Sequence, residues 1–295
     1  MNHTQTTIKA EVSLEGVGLH TGNSSKIIFR PAPANSGIRF FRTDLPQTPV
    51  IPARLDFVVA TVRGTNLGLN GAKVHTVEHV LSACTGVGLD NVDILVCANE
   101  PPILDGSSLP FVKALLKTGL ARFPDHPPRL FHLNEEVTYV DGSARYRAVP
   151  AEKFEIRSTL IHDHPLMPKM TLEMRFDQQS YISELAGART FCFEHEVAFL
   201  RAQGLAQGGS LDNAIVIGKD KFHTNSEGLR YRDEFVRHKT LDLIGDLTLL
   251  GRSIFKMRIE AECLGHAHNI EFAKRLRLAA LKQRKNTQPM EAAQP

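Results

Sequence analysis

Three polar side chains stand four residues apart in the segment RHKTLDLIGDL, residues 237–247. They are His238, Asp242 and Asp246, and leucines and an isoleucine occupy much of the sequence between them. On a helix, residues i and i+4 lie one turn apart with Cβ atoms about 5–6 Å from each other. His238 and Asp242 could therefore hold one small cation together. The alternative is a polar row that faces solvent while the leucines face the core.

A second segment, HTVEH at residues 75–79, places Glu78 directly before His79. Hydrolytic zinc sites usually take three protein ligands from His and Asp/Glu, plus a water. They also need a carboxylate outside the ligand set that accepts a proton from that water. His79, His238 and Asp242 supply the ligand types and Glu78 supplies the base. Since the two segments lie in opposite halves of the chain, they predict a site at an interface between the halves.

The same five residues allow a different interpretation. H-x-x-E-H is the inverted zinc-protease pattern, in which His75 and His79 are both ligands and Glu78 is the base. Three fixed positions make a weak match. This interpretation also gives His238 and Asp242 no role in the chemistry.

Strands and helices alternate around these segments. TIKAEVSLEGVGLHTG predicts a strand pair, and NVDILVCA predicts a buried strand. HTVEHVLSACTG has apolar residues at helical spacing and is ended by Gly86 and Gly88. In the second half, EEVTYVDGSARYRAVP predicts a hairpin with its turn at Asp141 and Gly142. A basic helix is expected near 267–285.

The proline-rich stretch RFPDHPPRL, residues 122–130, predicts a boundary between domains. We expect an N-terminal α+β domain at 1–121, a linker at 122–130 and a C-terminal α+β domain at 131–285. Residues 286–295 are expected to form a disordered tail. Two α+β domains with helices packed between their sheets satisfy both halves of the pattern.

Composition narrows the class of protein. The 295 residues are 42% hydrophobic and 23% charged, an ordinary globular balance. A net charge of +3 is too weak to indicate a nucleic-acid binder. The four cysteines form no CxxC pair and fit a reducing compartment better than a disulfide scaffold. With neither a secretory signal nor an apolar stretch near the ~20 residues that a membrane helix needs, the sequence predicts a cytoplasmic protein.

Longer blocks carry a family resemblance. KVHTVEHVLSACTGVGLDNVDI, NEPPILDGSSLPFV, GARTFCFEHEVAFLRAQGLAQGGSLDNAIVI, DEFVRHKTLDLIGDLTLLG and the early EGVGLHTG together resemble the UDP-3-O-acyl-N-acetylglucosamine deacetylases, from about residue 6 to 275. The resemblance implies a zinc amidohydrolase that catalyses the committed step of lipid A biosynthesis in Gram-negative bacteria. It also implies two similar domains, each a mostly antiparallel sheet with two helices, with the helix layers face to face.

Residue roles carry over where the motifs match. His79, His238 and Asp242 resemble the metal ligands, and Glu78 resembles the general base. The remaining catalytic roles fall on His266 as general acid, Asp246 as its orienting carboxylate and Thr190 as an oxyanion donor. Substrate contacts are implied for Lys239, Phe191, Leu19, His20, Leu200 and Val216. Two positions depart from the pattern: Cys192 stands where glycine is usual, and His268 where an apolar residue is common.

The implied substrate is an acylated UDP-N-acetylglucosamine, and the implied metal is Zn²⁺, with Fe²⁺ possible for the same ligand types. An insert near 193–214 would form an apolar passage for the acyl chain, with Val197, Phe199 and Leu200 on its helix. The basic helix at 272–285 suggests weak contact with diphosphate or a membrane surface, or is a solvated surface helix. We expect no obligate protein partner. A non-catalytic nucleotide-sugar binding protein is the third candidate, but it would be expected to lose Glu78 or a ligand.

Overall fold

The computed structural model describes residues 4–252 and 254–287. The first half of the chain is built on a five-stranded sheet of order β2-β3-β9-β4-β5, with a three-stranded sheet β6-β7-β8 and a two-stranded sheet β1-β10 beside it. The elements are β1 (Gln5–Ile8), β2 (Val12–Val17), β3 (Ser24–Pro31), β4 (Ile38–Arg42), β5 (Val50–Pro52), β6 (Val58–Ala60), β7 (Asn66–Leu69), β8 (Ala72–Val74), α1 (Glu78–Gly86), β9 (Val92–Val96), α2 (Leu109–Thr118) and β10 (Leu120–Phe123).

The second half is built on a six-stranded sheet of order β12-β13-β19-β14-β15, in which β11 also pairs with β19. A small three-stranded sheet, β16-β17-β18, stands apart from it. The elements are β11 (Leu130–His132), β12 (Val137–Asp141), β13 (Ala144–Pro150), β14 (Glu155–Leu160), β15 (Met170–Arg175), α3 (Gln178–Ser180), β16 (Phe191–Phe193), α4 (Glu194–Ala202), β17 (Ile215–Ile217), β18 (Phe222–His223), α5 (Glu234–Thr248), β19 (Ile254–Glu262) and α6 (His266–Thr287).

The helices lie between the two large sheets. Phe29 of β3 meets Phe111 of α2 edge to face, with ring centroids 6.2 Å apart, and Tyr146 of β13 packs on Phe272 of α6 at 5.1 Å. Between these layers α1 packs on α5. The predicted α+β architecture, with helix layers face to face, is confirmed.

Helix α5 is buried along nearly its whole length. His238, Asp242 and Asp246 are each no more than 2% exposed. The solvent-facing interpretation of the polar row is therefore wrong: α5 is covered by α1 on one side and by its own sheet on the other, so the row points into the interior.

Two local predictions have different outcomes. The hairpin is confirmed, because Asp141 of β12 pairs with Ala144 of β13 around Gly142. The N-terminal strand pair is wrong: β1 pairs with β10, and β2 pairs with β3. All of β1 is buried, and the backbone N–H of Thr6 donates to Asp90 at 2.8 Å, so distant polar partners fix this strand rather than a local turn.

The predicted bounds of the linker, the insert and the tail can be compared with the strands and helices of the structure. Residues 122–130 begin inside β10 and end at the first residue of β11. The expected insert, 193–214, begins at the last residue of β16, contains α4 and ends directly before β17. Of the expected tail, residues 286 and 287 belong to α6, and 288–295 lie outside the described residues.

Gly245 sets the distance between α1 and α5. A Cβ atom at this position would lie 2.2 Å from the backbone oxygen of Glu78 and 2.9 Å from its Cα. Real side chains do not approach a backbone this closely, so the two helices touch only because residue 245 has no side chain.

We predict that Gly245→Ala lowers the free energy of unfolding by about 1–3 kcal/mol, the usual cost of overpacking. An unobstructed helical glycine would behave oppositely, because alanine is favoured over it by up to about 1 kcal/mol. Denaturant unfolding of both proteins checks the sign. A variant as stable as the native chain would show that the helices can move apart freely.

Candidate active site

His79, His238 and Asp242 converge at the contact between α1 and α5. His79 lies in the first turn of α1, while His238 and Asp242 lie one turn apart on α5. Asp242 Oδ1 is 3.4 Å from His238 Nε2 and 3.8 Å from His79 Nε2. One potential ligand atom from each residue falls within 4.8 Å of the others. These distances leave room for a cation at the centre of the group.

The donor atoms are oriented for a metal. His238 Nδ1 donates to the backbone oxygen of Ala188 at 3.0 Å, which leaves the Nε2 lone pair facing the group. Asp242 Oδ2 accepts from Lys239 Nζ at 3.0 Å. Within the described part of the chain, the buried Asp242 Oδ1 has no hydrogen-bond partner. A buried carboxylate oxygen without a donor is costly, and a cation held with the two imidazoles would satisfy it.

The electrostatics agree with this donor set. Burial lowers the pKa of His79 to about 3 and also lowers the pKa of His238, so both imidazoles are neutral and able to bind a metal. For Asp242, burial alone would raise the pKa, but the Lys239 ammonium at 3.0 Å and the other basic groups around the carboxyl outweigh it and hold the pKa well below its usual range. The group therefore offers two neutral nitrogens and one anionic oxygen.

Glu78 and His266 form a second pair beside the ligands. The facing atoms, Glu78 Oε1 and His266 Nε2, are 3.7 Å apart, and Glu78 Oε2 accepts the backbone N–H of Thr65 at 2.9 Å. Burial raises the pKa of Glu78 to about 7. Burial would lower the pKa of His266, but the Glu78 and Asp246 carboxylates outweigh it and raise the pKa to about 9. Glu78 can therefore accept a proton near neutral pH, and His266 beside it retains its proton at that pH.

Asp246 holds His266 from behind. The carboxylate accepts from His266 Nδ1 at 3.1 Å, from Asn269 Nδ2 at 2.8 Å and from the Thr65 hydroxyl at 2.5 Å. It is fully buried. This arrangement points His266 Nε2 at Glu78 and Asp242. Glu78, Asp242 and His266 also lie close enough to form a ligand group, but the raised pKa of His266 favours its protonated form, which offers no lone pair at Nε2, so we assign the metal to the first group.

The two histidines of the GHAH segment have different surroundings. His266 is oriented by Asp246, whereas His268 Nδ1 lies 3.0 Å from the Tyr139 hydroxyl and 3.7 Å from Asp141 on the outer strand β12. His268 lines the edge of the cavity but does not face Glu78. The geometry therefore favours His266 over His268 as a proton donor.

His75 lies outside the ligand groups formed by the described residues. Helix α1 begins at Glu78, and Thr76 has a φ of +52°, so the chain turns sharply after His75. Without a continuous helix, His75 and His79 are not one turn apart. The geometry gives no support to the inverted-protease interpretation.

Two neighbouring cavities meet at this site. The polar cavity, of about 320 Å³, is lined by the ligand group, Glu78, His266 and Lys239. The apolar cavity, of about 200 Å³, lies between the 18–22 loop (residues 18–22) and the β16–α4–β17 segment. Both cavities are lined by the same four residues at their junction: Leu19, Arg63, Thr190 and Phe191. A ligand with one polar and one apolar end could occupy both.

The predicted site residues come together around these cavities. Each of them lines the polar or the apolar cavity except Asp246, which lies behind His266. The apolar cavity takes Leu19, His20, Thr190, Phe191, Leu200 and Val216, and the polar cavity takes Leu19, Glu78, His79, Thr190, Phe191, His238, Lys239, Asp242 and His266. Their individual roles stay predictions.

Only two of the three apolar residues of α4 expected to line the acyl passage do line the apolar cavity. Leu200 is 4% exposed and lines the apolar cavity with Val197, whereas Phe199 is 63% exposed and does not line it. The structure does not support the expectation for Phe199, because the turn of about 100° per residue carries its side chain away from the cavity and out to solvent. Cys192 lines the same cavity.

Comparison with known proteins identifies the family. The family model of UDP-3-O-acyl N-acetylglycosamine deacetylases matches residues 5–277. The chain belongs to this family. A UDP-3-O-acyl-N-acetylglucosamine deacetylase of Myxococcus xanthus is 40% identical over 275 residues, which cover 93% of this chain and 87% of the relative.

Other relatives give the same result. A UDP-3-O-acyl-N-acetylglucosamine deacetylase of Saccharophagus degradans is 44% identical over 253 residues, covering 85% of this chain and 82% of the relative. A protein of Chlorobaculum tepidum named bifunctional enzyme LpxC/FabZ is 39% identical over 300 residues, covering 92% of this chain and 64% of the relative. The similarity thus covers both halves of this family member.

Several residues of the site gave no sequence signal. Thr65 binds Glu78 through its backbone and Asp246 through its hydroxyl. Arg63 lines both cavities and pairs with Glu196 of α4 at 2.5 Å. Both lie in an irregular loop before β7, where neither periodicity nor a motif marks them. Only the folded chain brings them to the site.

The basic helix exposes two leucines. Leu278 and Leu281 of α6 are 57% and 49% exposed, and Lys274 and Lys282 are exposed on the same helix. The features behind the membrane-contact prediction are therefore present, and that contact stays a prediction. Within the described residues, none of the helices combines the length and apolar character that a membrane span requires.

We predict that Asp242→Asn and His238→Ala each lose most of the bound metal, because each removes one of the three converging donors. His75→Ala is the matched control and should keep native metal content, since its imidazole lies outside the group. Metal analysis of the purified, folded variants gives the answer. If the His75 variant lost its metal and the Asp242 variant kept it, the ligands would instead be His75 and His79, as in the inverted-protease pattern.

Proposed function

We propose that this chain hydrolyses the N-acetyl group of UDP-3-O-(3-hydroxyacyl)-N-acetylglucosamine in the cytoplasm and releases acetate, as the committed step of lipid A biosynthesis. One observation carries the proposal: a buried oxygen of Asp242, which has no hydrogen-bond partner among residues 4–252 and 254–287, faces two imidazoles next to a cavity that continues into an apolar one. Hydrolysis of an amide on an acylated sugar nucleotide needs both features. The names of the relatives support the substrate.

The proposed metal is Zn²⁺, held by His79, His238 and Asp242. Two imidazoles and one carboxylate are a usual ligand set of hydrolytic zinc sites, and Fe²⁺ accepts the same donors. When bound, such a cation lowers the pKa of water and polarises a carbonyl group. The chain's own residues supply the proton transfers and the orientation.

Glu78 is the proposed general base. Its Oε2 is held by the Thr65 N–H, so Oε1 is left facing the polar cavity. A carboxylate there can accept a proton from the water that attacks the acetamide carbonyl. Because its raised pKa lies near neutrality, Glu78 is a stronger base than a solvent-exposed carboxylate.

His266 is the proposed general acid. When the C–N bond breaks, the electron pair goes to the sugar nitrogen, which must gain a proton to leave as an amine. A protonated His266 can donate that proton from Nε2, and Asp246 stabilises the charged imidazole through Nδ1. The products are acetate and the free amine of the sugar.

The substrate's other groups fit the remaining surface. Thr190 stands at the junction of the two cavities, where its hydroxyl can donate to the developing oxyanion. Lys239 lies on the polar side, with its Nζ 5.5 Å from the centroid of the Phe191 ring. The apolar cavity beyond Phe191 would take the acyl chain. A non-catalytic sugar-nucleotide binder would not need the Glu78–His266 pair.

We predict that Glu78→Gln and His266→Gln each lower kcat for acetate release by about 10²- to 10⁴-fold while metal is retained. The glutamine at 78 can still accept from Thr65 but cannot take a proton. His268→Ala is the control and should stay near native activity. The measurement is acetate release from the acylated sugar nucleotide by the zinc-loaded protein. Equal losses in the His266 and His268 variants would contradict the acid assignment.

We predict a separate effect on the apolar cavity. Leu200→Glu places a charge in the cavity and should raise KM for a long-chain substrate by about tenfold or more, because a buried charge must be desolvated. Phe199→Glu is the matched control, since the Phe199 side chain points to solvent. Kinetics with a long-chain and a truncated acyl substrate test this. Equal effects of both changes would assign the acyl chain to another surface.

A further inference from the structure

The carboxylate of Glu100 joins two loops that border both cavities. Glu100 is fully buried, in the segment NEPP that follows β9. Its Oε2 accepts from the backbone N–H of Thr21 at 2.9 Å and from the Thr21 hydroxyl at 2.8 Å. Its Oε1 accepts from the Thr76 hydroxyl at 2.8 Å. The backbone N–H of His20 lies 3.1 Å from both oxygens. One carboxylate therefore connects the 18–22 loop to the turn before α1.

The 18–22 loop fits closely on this carboxylate. A Cβ atom at Gly18 would lie 2.5 Å from Glu100 Oε2 and 2.5 Å from the Thr21 hydroxyl. The Ser25 hydroxyl also donates to the backbone oxygen of Glu100 at 2.6 Å. The loop thus depends on a glycine at 18 and on a side chain at 100 whose two oxygens both accept.

The opposite side of the loop contacts residues 206–209, which border the apolar cavity. The backbone N–H of Gln207 donates to the backbone oxygen of His20 at 3.1 Å, and the backbone N–H of Gly208 donates to the backbone oxygen of Leu19 at 3.1 Å. A Cβ at Gly208 would lie 2.2 Å from the oxygen of Gly18. Leu19 itself lines both cavities. Movement of the 18–22 loop would therefore move Leu19, which lines both cavities, and the 206–209 segment together.

We propose that Glu100 is a positioning residue that fixes the wall between the polar and apolar cavities and so determines how the acyl chain is seated. This role rests on the proposed deacetylase function. Glu100 does not line either cavity, so it acts through His20, Thr21 and Thr76. The His20 N–H lies 3.1 Å from both oxygens and cannot accept, so an amide in place of the carboxylate would direct its own N–H at the His20 N–H, whereas the two threonine hydroxyls could reverse their role.

The test compares Glu100→Gln and Gly18→Ala with Asp90→Asn in the full zinc-loaded chain. Glu100→Gln removes the charge, and Gly18→Ala pushes the loop away without changing any charge. Asp90 is a matched control: it is also buried and accepts from the N–H and hydroxyl of a threonine, Thr6, at 2.8 and 3.0 Å, but it lies away from both cavities. Kinetics are measured with a long-chain and a truncated acyl substrate.

We expect both loop variants to raise KM for the long-chain substrate by about 10- to 100-fold, the scale of a misplaced positioning group. The truncated substrate should change much less, kcat should fall little, and Asp90→Asn should behave as native on both. Equal losses on both substrates, or an unchanged KM, in folded variants would overturn the role and leave Glu100 purely structural.

Hydrogen exchange separates this inference from the proposed function, because it needs no substrate. In Glu100→Gln, amide exchange should accelerate in residues 18–22 and in 206–209 together, whereas in Asp90→Asn neither segment should change. Unchanged exchange in both segments would overturn the link between Glu100 and the cavity wall. Coupled acceleration in a chain whose native form releases no acetate would reject the deacetylase function and with it the role in seating an acyl chain, while the link itself would stand.

Discussion

The site depends on the close contact of α1 and α5 at Gly245. At this point the backbone of Glu78 comes within van der Waals distance of α5, which places the first turn of α1 against the polar row of α5. Glu78 and His79 then face Asp242 and His266. A methyl group at 245 would lie 2.2 Å from the backbone oxygen of Glu78 and would force the helices apart, so a glycine with no chemical role controls the geometry of the groups that have one.

The contact buries several ionisable groups, and hydrogen-bond partners offset part of the cost. Asp246 accepts from an imidazole, an amide and a hydroxyl, which together replace the water it has lost. Asp242 is different, because one oxygen binds Lys239 and the other lacks a partner among the described residues. The two carboxylates lie one turn apart but differ in their hydrogen bonds. Asp246, which is fully bonded, orients a histidine, whereas Asp242, which has one oxygen left over, can bind a cation.

A buried ion pair connects the start of α5 to residues 188–190, which border the site. Arg189 and Glu234 are both fully buried, and Arg189 Nε donates to Glu234 Oε1 at 2.8 Å. Glu234 is the first residue of α5, and Arg189 stands between Ala188, whose oxygen orients His238, and Thr190 at the junction of the cavities. The pair thus connects the start of α5 to the segment that supplies these groups. Breaking such a pair typically costs about 3–5 kcal/mol, because one charge stays buried alone.

Local spacing in the sequence was enough to predict part of the site and of the fold. The i, i+4 row on α5, the adjacency of Glu78 and His79 and the hairpin at Gly142 follow from helical and turn geometry, and the long motif blocks indicated the family. Choices between neighbours depended on the fold: His79 over His75, His266 over His268, Leu200 over Phe199. Two of these choices rest on contacts between separate segments, such as that of Asp246 with His266 and that of Leu200 with the lining of the apolar cavity, and periodicity carries no information about such partners. The network of Glu100 with Thr21 and Thr76 likewise exists only after packing, since a carboxylate selects its donors by distance in space and not by position in the sequence.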